Sequence, residues 1–285
     1  MSRTFFAVES GTMTDADLNQ ALLESGLAPL PLGWIRYFPS STSTNDVAAK
    51  LAGESAPDFS LVVADQQTAG KGRAGRKWFS APKAALTFSL ALKAPYEVAN
   101  QLETNDILLR YTALGALAVC NALETHYRLT PAIKWPNDVL LNERKVCGVL
   151  AEAHWLGDQL EAIIIGIGIN IHPRAMPPDS ELLFPATCLE KHVSEQISRL
   201  EVLQQVLSRL LFWRSQIESP AFIQAWQARL AFRQKWVKVL DETNPSSQPI
   251  VGRISGLDSA GRLLLQDQHG AMLTIHFGEL RLRPV

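Results

Sequence analysis

Between Asn105 and Tyr127 the chain carries a stretch that reads as one long helix and is apolar on nearly every side. Ile107, Tyr111, Leu114, Ala118 and Ala122 recur at helical spacing, and the opposite face is almost as apolar. Such a helix has to be buried on most sides. Its apolar run from Ile107 to Leu123 is interrupted by Arg110, Thr112 and Asn121, which makes it too short and too marked to span a bilayer. The 285 residues contain 47% apolar side chains, enough to supply that cover in one large domain, or in a large domain plus a small one.

Other apolar segments supply strands and further helices. Leu61–Ala64 and Leu86–Leu92 read as buried strands, and Asp138–Leu141, a polar turn at Asn142–Arg144 and Lys145–Ala153 read as a hairpin. Ile163–Ile169 is a β-branched strand interrupted only by two glycines. A helix starting near Ser43 takes Thr44 or Asn45 as its cap, and Thr14 caps another that runs to about Ser25. Helices over Ser198–Ile217 and Ala221–Ala231 carry a core stripe of Leu203, Leu207, Leu210 and Leu211, joined by Phe222 and Trp226.

From Trp236 the pattern changes to short strands at 236–240, 250–254, 262–266 and 272–277, with turns at 244–247, 258–261 and 269–270. That spacing suggests a small β-barrel. The expected organisation is an N-terminal extension over 1–33, a main domain over 34–231 and the barrel over 232–285.

A formal net charge of −1 argues against a protein that lives on nucleic acid, and 33 residues with one clear helix leave no room for a helix-turn-helix domain. Cys120, Cys147 and Cys188 form neither a disulfide framework nor a zinc spacing, and the start of the chain lacks a signal peptide. These features fit a cytoplasmic protein, with Cys120 and Cys147 in the core.

Positive charge is instead concentrated in Gln67-Thr-Ala-Gly70-Lys71-Gly72-Arg73-Ala-Gly75-Arg76-Lys77-Trp78, where four cations fall within seven residues. Glycines let backbone N–H groups approach an anion and the cations hold it, although a solvated basic turn has the same composition. The segment is neither a P-loop nor a dinucleotide fingerprint. Lys134-Trp-Pro-Asn137-Asp138 precedes the hairpin, and Lys145-Val-Cys-Gly148 begins its return strand. A lysine flanked by Val146, Cys147 and Val149 can be partly desolvated and aimed at developing negative charge, or can simply be a turn lysine in solvent. In Gly166-Ile-Gly168-Ile-Asn170 the strand glycines mark close approach of a ligand or of a second backbone.

Taken in order with Ser43-Thr44-Asn45, these motifs resemble the biotin–protein ligases, from about Trp34 to Asn170 and more weakly in the tail at Gly252–Gly256 and Asp258–Gly261. The resemblance implies an α+β fold, namely the mixed sheet with helices shared with class II aminoacyl-tRNA synthetases, followed by an SH3-like barrel. It implies formation of biotinyl-5′-AMP from biotin and MgATP, then transfer of biotin to a lysine of a biotin carboxyl carrier protein of acetyl-CoA carboxylase or a related carboxylase.

By motif, Ser43, Thr44, Asn45, Gln67, Gly70, Lys71, Gly72, Arg73, Lys145 and Gly148 line the biotin site. Lys71, Arg73, Arg76, Trp78, Asn137, Lys145 and Asn170 hold ATP or the adenylate. Lys145 and Arg73 are catalytic, with Asp138 orienting or deprotonating the acceptor lysine. Metal ligands are not legible, and Mg2+ is left to phosphates and water. Lys71 stands where the family usually has arginine, keeping the charge without the bidentate fork. The expected protein is a monomer or homodimer with no DNA or membrane partner. A lipoate or octanoate ligase of the same fold, and a non-catalytic biotin-binding regulator, are the competing readings.

Overall fold

The computed structural model describes residues 18–93, 104–178, 180, 182–241, 246–276 and 280–284. A seven-stranded sheet forms the main layer, in the order β1 (Ile35–Phe38), β2 (Ser60–Ala64), β3 (Ala85–Lys93), β7 (Gln159–Asn170), β6 (Arg144–Leu156), β5 (Asp138–Leu141), β4 (Ala132–Lys134). Only β1 and β2 run parallel; the other neighbours are antiparallel.

The two-residue period of the strands gives the sheet two different faces. Leu86, Phe88, Leu90, Val149, Ile163, Ile165 and Ile167 join one large core with the long helix α3 (Thr104–Tyr127). Gly115 lets this helix approach closely, since a Cβ there would lie 2.8 Å from Val149 Cγ1. Helices α4 (Arg199–Arg214) and α5 (Pro220–Ala228) cover the other side of α3, so its expected all-round burial holds. Among the described residues α3 is the one helix long and apolar enough to cross a membrane, and most of it is inside this core.

On the second face a smaller cluster of Val62, Ala91, Ala162 and Ile164 packs under α2 (Thr44–Gly53). This helix covers only part of that face. Beyond its N-terminus residues of β6 and β7 face a cavity.

Several boundaries differ from the sequence reading. The cap expected at Thr14 lies outside the described residues; the first helix, α1, is Gln20–Leu27, capped by Asn19, whose side chain accepts from Leu22 N–H at 2.9 Å. It docks through Gln20, which donates to Ile35 O and accepts from Tyr37 N–H, both at 2.9 Å. The N-cap of α2 is Ser43, not Thr44 or Asn45, because those two side chains are drawn into the cavity wall. Helices α4 and α5 start beside their caps Ser198 and Ser219, whose hydroxyls accept from Glu201 and Phe222 N–H.

After α5 an antiparallel five-stranded sheet runs β11 (Met272–Ile275), β10 (Leu263–Gln266), β9 (Ile250–Leu257), β8 (Trp236–Asp241), β12 (Leu280–Pro284). Strands β1, β4 and β12 are absent from the sequence reading: each has three to five residues, too few to establish a period. Asn244 and Pro245 of the expected turn lie outside the described residues.

All three cysteines are buried and free. Burial pushes the Cys120 and Cys147 thiols above their ordinary range, as core residues require.

Candidate active site

The cavity has a volume of about 360 Å³ and collects residues that are far apart in sequence. Its wall comprises the start of α2, the basic loop, the β4–β5 connection, the uncovered face of β6 and β7, the segment near Phe184, and Arg283 on β12. Of the residues expected to form the site, all line it except Gly70. Gly70 sits at the neck of the basic loop, where Trp78 N–H donates to its carbonyl at 2.8 Å. A Cβ on it would come within 2.6 Å of the Trp78 carbonyl oxygen.

Between Gly70 and Trp78 the loop closes on itself. Gly72 N–H donates to Arg76 O at 2.7 Å, and Arg76 Nε donates to Arg73 O at 2.9 Å. Ala74 and Gly75 turn the chain with φ of 56° and 66°. Arg73 is 7% exposed, so this is not a solvated basic turn. Lys71 forms a salt bridge with Asp46 on α2, which holds its ammonium above the ordinary range and ties the loop to the helix.

The two strand glycines accommodate protein side chains. A Cβ on Gly166 would come within 2.1 Å of Asn45 Oδ1, and one on Gly168 within 2.4 Å of the Trp78 indole. The space that Gly166 leaves is therefore occupied by Asn45. Trp78 lies flat on the β6–β7 floor, its buried indole N–H without a hydrogen-bond partner in the protein, and Lys145 Nζ sits 5.6 Å from the ring centroid.

Lys145 is drawn to Asp138. Asp138 Oδ1 lies 2.6 Å from Lys145 Nζ, and Oδ2 accepts from Lys134 Nζ at 2.8 Å. Burial raises the Asp138 carboxyl, but the two ammonium groups outweigh it and hold it well below the ordinary carboxylate range. Lys134 moves the other way for a lysine with a partner: its desolvation exceeds what one shared carboxylate returns, so its pKa is lowered. Lys145 is less enclosed, its side chain 27% exposed on the cavity side. Asn137 is held by donation from Nδ2 to Val149 O at 3.1 Å, and Asn170 by donation to Thr187 O at 3.0 Å.

Lys134, Phe184 and Arg283 also belong to the wall, although the sequence reading gave them no role. Lys134 had a signal, since it opens the motif that ends in Asp138. Arg283 had none: its guanidinium lies 5.5 Å from the Phe184 ring, in a contact that only the folded tail creates. Among the described residues there is no cluster of three or more His, Cys, Asp or Glu side chains suited to a metal. The cavity thus brings cations from three directions over a glycine-lined, partly apolar floor, which suits a ligand with one apolar end and several anionic groups.

Known proteins are similar to this chain in sequence and in fold. Residues 37–170 match the model of the biotin/lipoate A/B protein ligase family, and residues 237–283 match that of the biotin protein ligase C terminal domain. A biotin–[acetyl-CoA-carboxylase] ligase of Paracoccus denitrificans is 33% identical over 239 residues, 80% of this chain and 92% of that protein. The bifunctional ligase/repressor BirA of Bacillus spizizenii is 33% identical over 267 residues, 89% of this chain and 76% of its own length. The solved structure of biotin protein ligase from Aquifex aeolicus in complex with biotin and ATP is similar at a TM-score of 0.72 and 31% identity, over 88% of this chain and 99% of that one.

Proposed function

The chain belongs to the biotin/lipoate A/B protein ligase family, and from that premise we propose the following reaction and residue roles. It is an ATP-dependent biotin protein ligase. A carboxylate oxygen of biotin attacks the α-phosphorus of ATP, and pyrophosphate leaves. An acceptor lysine amine then attacks the acyl carbon of biotinyl-5′-AMP, and AMP leaves. The observation that carries this reading is the convergence of Arg73, Lys145 and Arg283 on one cavity whose floor carries Gly166 and Gly168.

Bringing a carboxylate onto a triphosphate concentrates negative charge, and the crowded phosphorus adds more at the transition state. We assign Lys145 to the carboxylate and α-phosphate, Arg73 and Arg76 to phosphate oxygens, and the Lys71–Arg73 backbone to closing the loop over the ligand. Ser43, Thr44, Asn45 and Gln67 take the biotin ring end. Gly148 leaves room for Lys145 and Trp78 to lie over the floor beside the ligand, since a Cβ there would come within 3.1 Å of both side chains. Trp78, Asn137 and Asn170 take the nucleotide side.

Asp138 keeps Lys145 aimed. A carboxyl held so far below its ordinary range is a weak base, so orientation is its role rather than deprotonation of the acceptor lysine. Mg2+ neutralises phosphate charge when bound. With Asp138 already shared by two lysines, the ion would be held by the phosphates and water rather than by this carboxylate. The acceptor we assign is a biotin carboxyl carrier domain of acetyl-CoA carboxylase or a related carboxylase, in the cytoplasm.

Biotin-dependent exchange of labelled pyrophosphate into ATP tests the reading. Exchange with biotin and not with lipoate or octanoate is the expected result. Exchange with lipoate alone overturns the substrate, and exchange with none of the acids leaves a non-catalytic binder.

A further inference from the structure

Four polar side chains form a continuous row, in which Thr44 and Asn45 line the ring end of the cavity and Ser89 and Glu152 lie behind them: Thr44, Ser89, Asn45 and Glu152. Ser89 Oγ lies 2.7 Å from Thr44 Oγ1 and 2.6 Å from Asn45 Oδ1, and Asn45 Nδ2 donates to Glu152 Oε2 at 2.5 Å. At the other end Gln67 Oε1 accepts from Thr44 N–H at 2.7 Å and lies 3.1 Å from Thr44 Oγ1. The row crosses three strands. Ser89 on β3 and Leu150 on β6 are both in register with Gly166 on β7, and Asn45 occupies the space that Gly166 leaves.

Both ends of this row have fixed polarity. A carboxylate only accepts, so Asn45 presents its NH2 to Glu152 and its carbonyl oxygen to Ser89. Ser89 has one hydrogen, which that carbonyl takes. Ser89 and Thr44 have two hydroxyl hydrogens for three oxygen–oxygen contacts, so one contact goes without; with Ser89 donating to Asn45 and Thr44 to Ser89, it is the longest, Thr44 Oγ1 to Gln67 Oε1 at 3.1 Å. At the far end a backbone N–H only donates, so Gln67 turns its oxygen to Thr44 and keeps its NH2 as a donor for the cavity. Thr44 Oγ1 and Gln67 Oε1 are left facing each other with lone pairs only. A ligand N–H satisfies both.

We infer that Glu152, through Asn45 and Ser89, sets the direction of this relay, and so makes Thr44 an acceptor for a ring N–H of the ligand. Glu152 and Ser89 are positioning residues that select a cyclic urea over rings lacking its N–H donors. The inference rests on the biotin reading above.

Without a carboxylate at 152, Asn45 is free to turn its NH2 toward Ser89, the relay reverses, and Thr44 offers a hydrogen where the ligand also has one. Glu152→Leu and Ser89→Ala are therefore each expected to raise the KM for biotin in pyrophosphate exchange about tenfold, with kcat within about twofold of the unsubstituted chain. Glu152→Gln, whose amide oxygen still accepts from Asn45, should recover most of that loss.

The decisive ligand is a biotin analogue with one ring-urea N–H replaced by oxygen. The unsubstituted chain should prefer biotin by about tenfold, and Glu152→Leu and Ser89→Ala should lose that preference. If Glu152→Leu does not fold, Ser89→Ala carries the test alone. Unchanged KM and unchanged preference in a folded variant would overturn the relay. Absence of exchange with biotin in the unsubstituted chain would instead overturn the ligase reading.

Discussion

At Asp138 one buried carboxylate serves two lysines, and each neighbour responds differently to its loss. Asp138→Asn leaves the buried Lys134 ammonium without a counter-charge, which should cost about 3–5 kcal/mol of stability at neutral pH. The sign of the pH dependence follows from the depressed carboxyl. It is held below its ordinary 3.8, so the unfolded chain takes up the proton first as pH falls. The stabilisation is complete above the ordinary carboxyl range and is lost as the solution becomes more acidic. Denaturant titrations of both forms should show their difference in stability narrowing from pH 7 toward pH 3; a constant gap would mean the ion pair is not its source. Lys145 sits on the open side of the same carboxylate. Lys145→Ala should lower biotin-dependent pyrophosphate exchange by about 100-fold or more while calorimetry finds biotin affinity within a few-fold, because the ammonium acts on charge that develops during reaction.

Among the elements, the basic loop and strand β7 divide the work of the site. The loop holds its own shape through the Gly72–Arg76 and Arg73–Arg76 contacts, and Arg73 is buried within it. Arg73→Gly removes that charge and leaves a residue free to adopt many conformations. Its adenylate should escape, so that bystander lysines on an unrelated protein become biotinylated, readable on an avidin blot. Retention of the adenylate equal to that of the unsubstituted chain would remove Arg73 from the phosphate site. Strand β7 contributes by absence: alternate positions facing the large core are isoleucines, while Gly166 and Gly168 on the other face leave space for Asn45 and Trp78.

For the whole molecule, the C-terminal sheet is fastened to the catalytic layer close to the cavity. Trp135 Nε1 donates to Gly261 O at 3.1 Å, one residue from Pro136 and three from Asp138. Arg110 donates to Ser259 O at 2.9 Å, and Arg262 grips the buried Asp106 carboxylate at 3.0 and 2.5 Å. Arg262→Ala strands that carboxylate and should cost about 2–3 kcal/mol, taken below the fully buried case because Arg262 is partly exposed. Scanning calorimetry is expected to show one melting transition for the unsubstituted chain and two for the variant. A variant that still melts in one step at an unchanged temperature would show that this contact does not couple the two layers. The same attachment brings Arg283 to the cavity, so loss of coupling should also raise the KM for ATP.

The local chemistry of this protein was already determined along the chain. The all-round apolar helix, the basic glycine loop, the Lys134–Asp138 and Lys145–Gly148 segments and the Gly166–Asn170 strand are continuous stretches. Their residue types act over a few positions, so periodicity, turn chemistry and charge density expose them. Folding alone decided which of their side chains meet. Ser89 and Glu152 reach Asn45 from 44 and 107 positions away, and Arg283 reaches Phe184 across 99. Nothing local marks a serine in a buried strand or an arginine near a chain end as part of a site. Strand pairing sets those distances, because register places Ser89 beside Gly166 and the long antiparallel hairpin carries Glu152 to the same row. Hydrogen-bond direction is likewise a tertiary property: it exists only once a carboxylate and a backbone N–H close the two ends of the row.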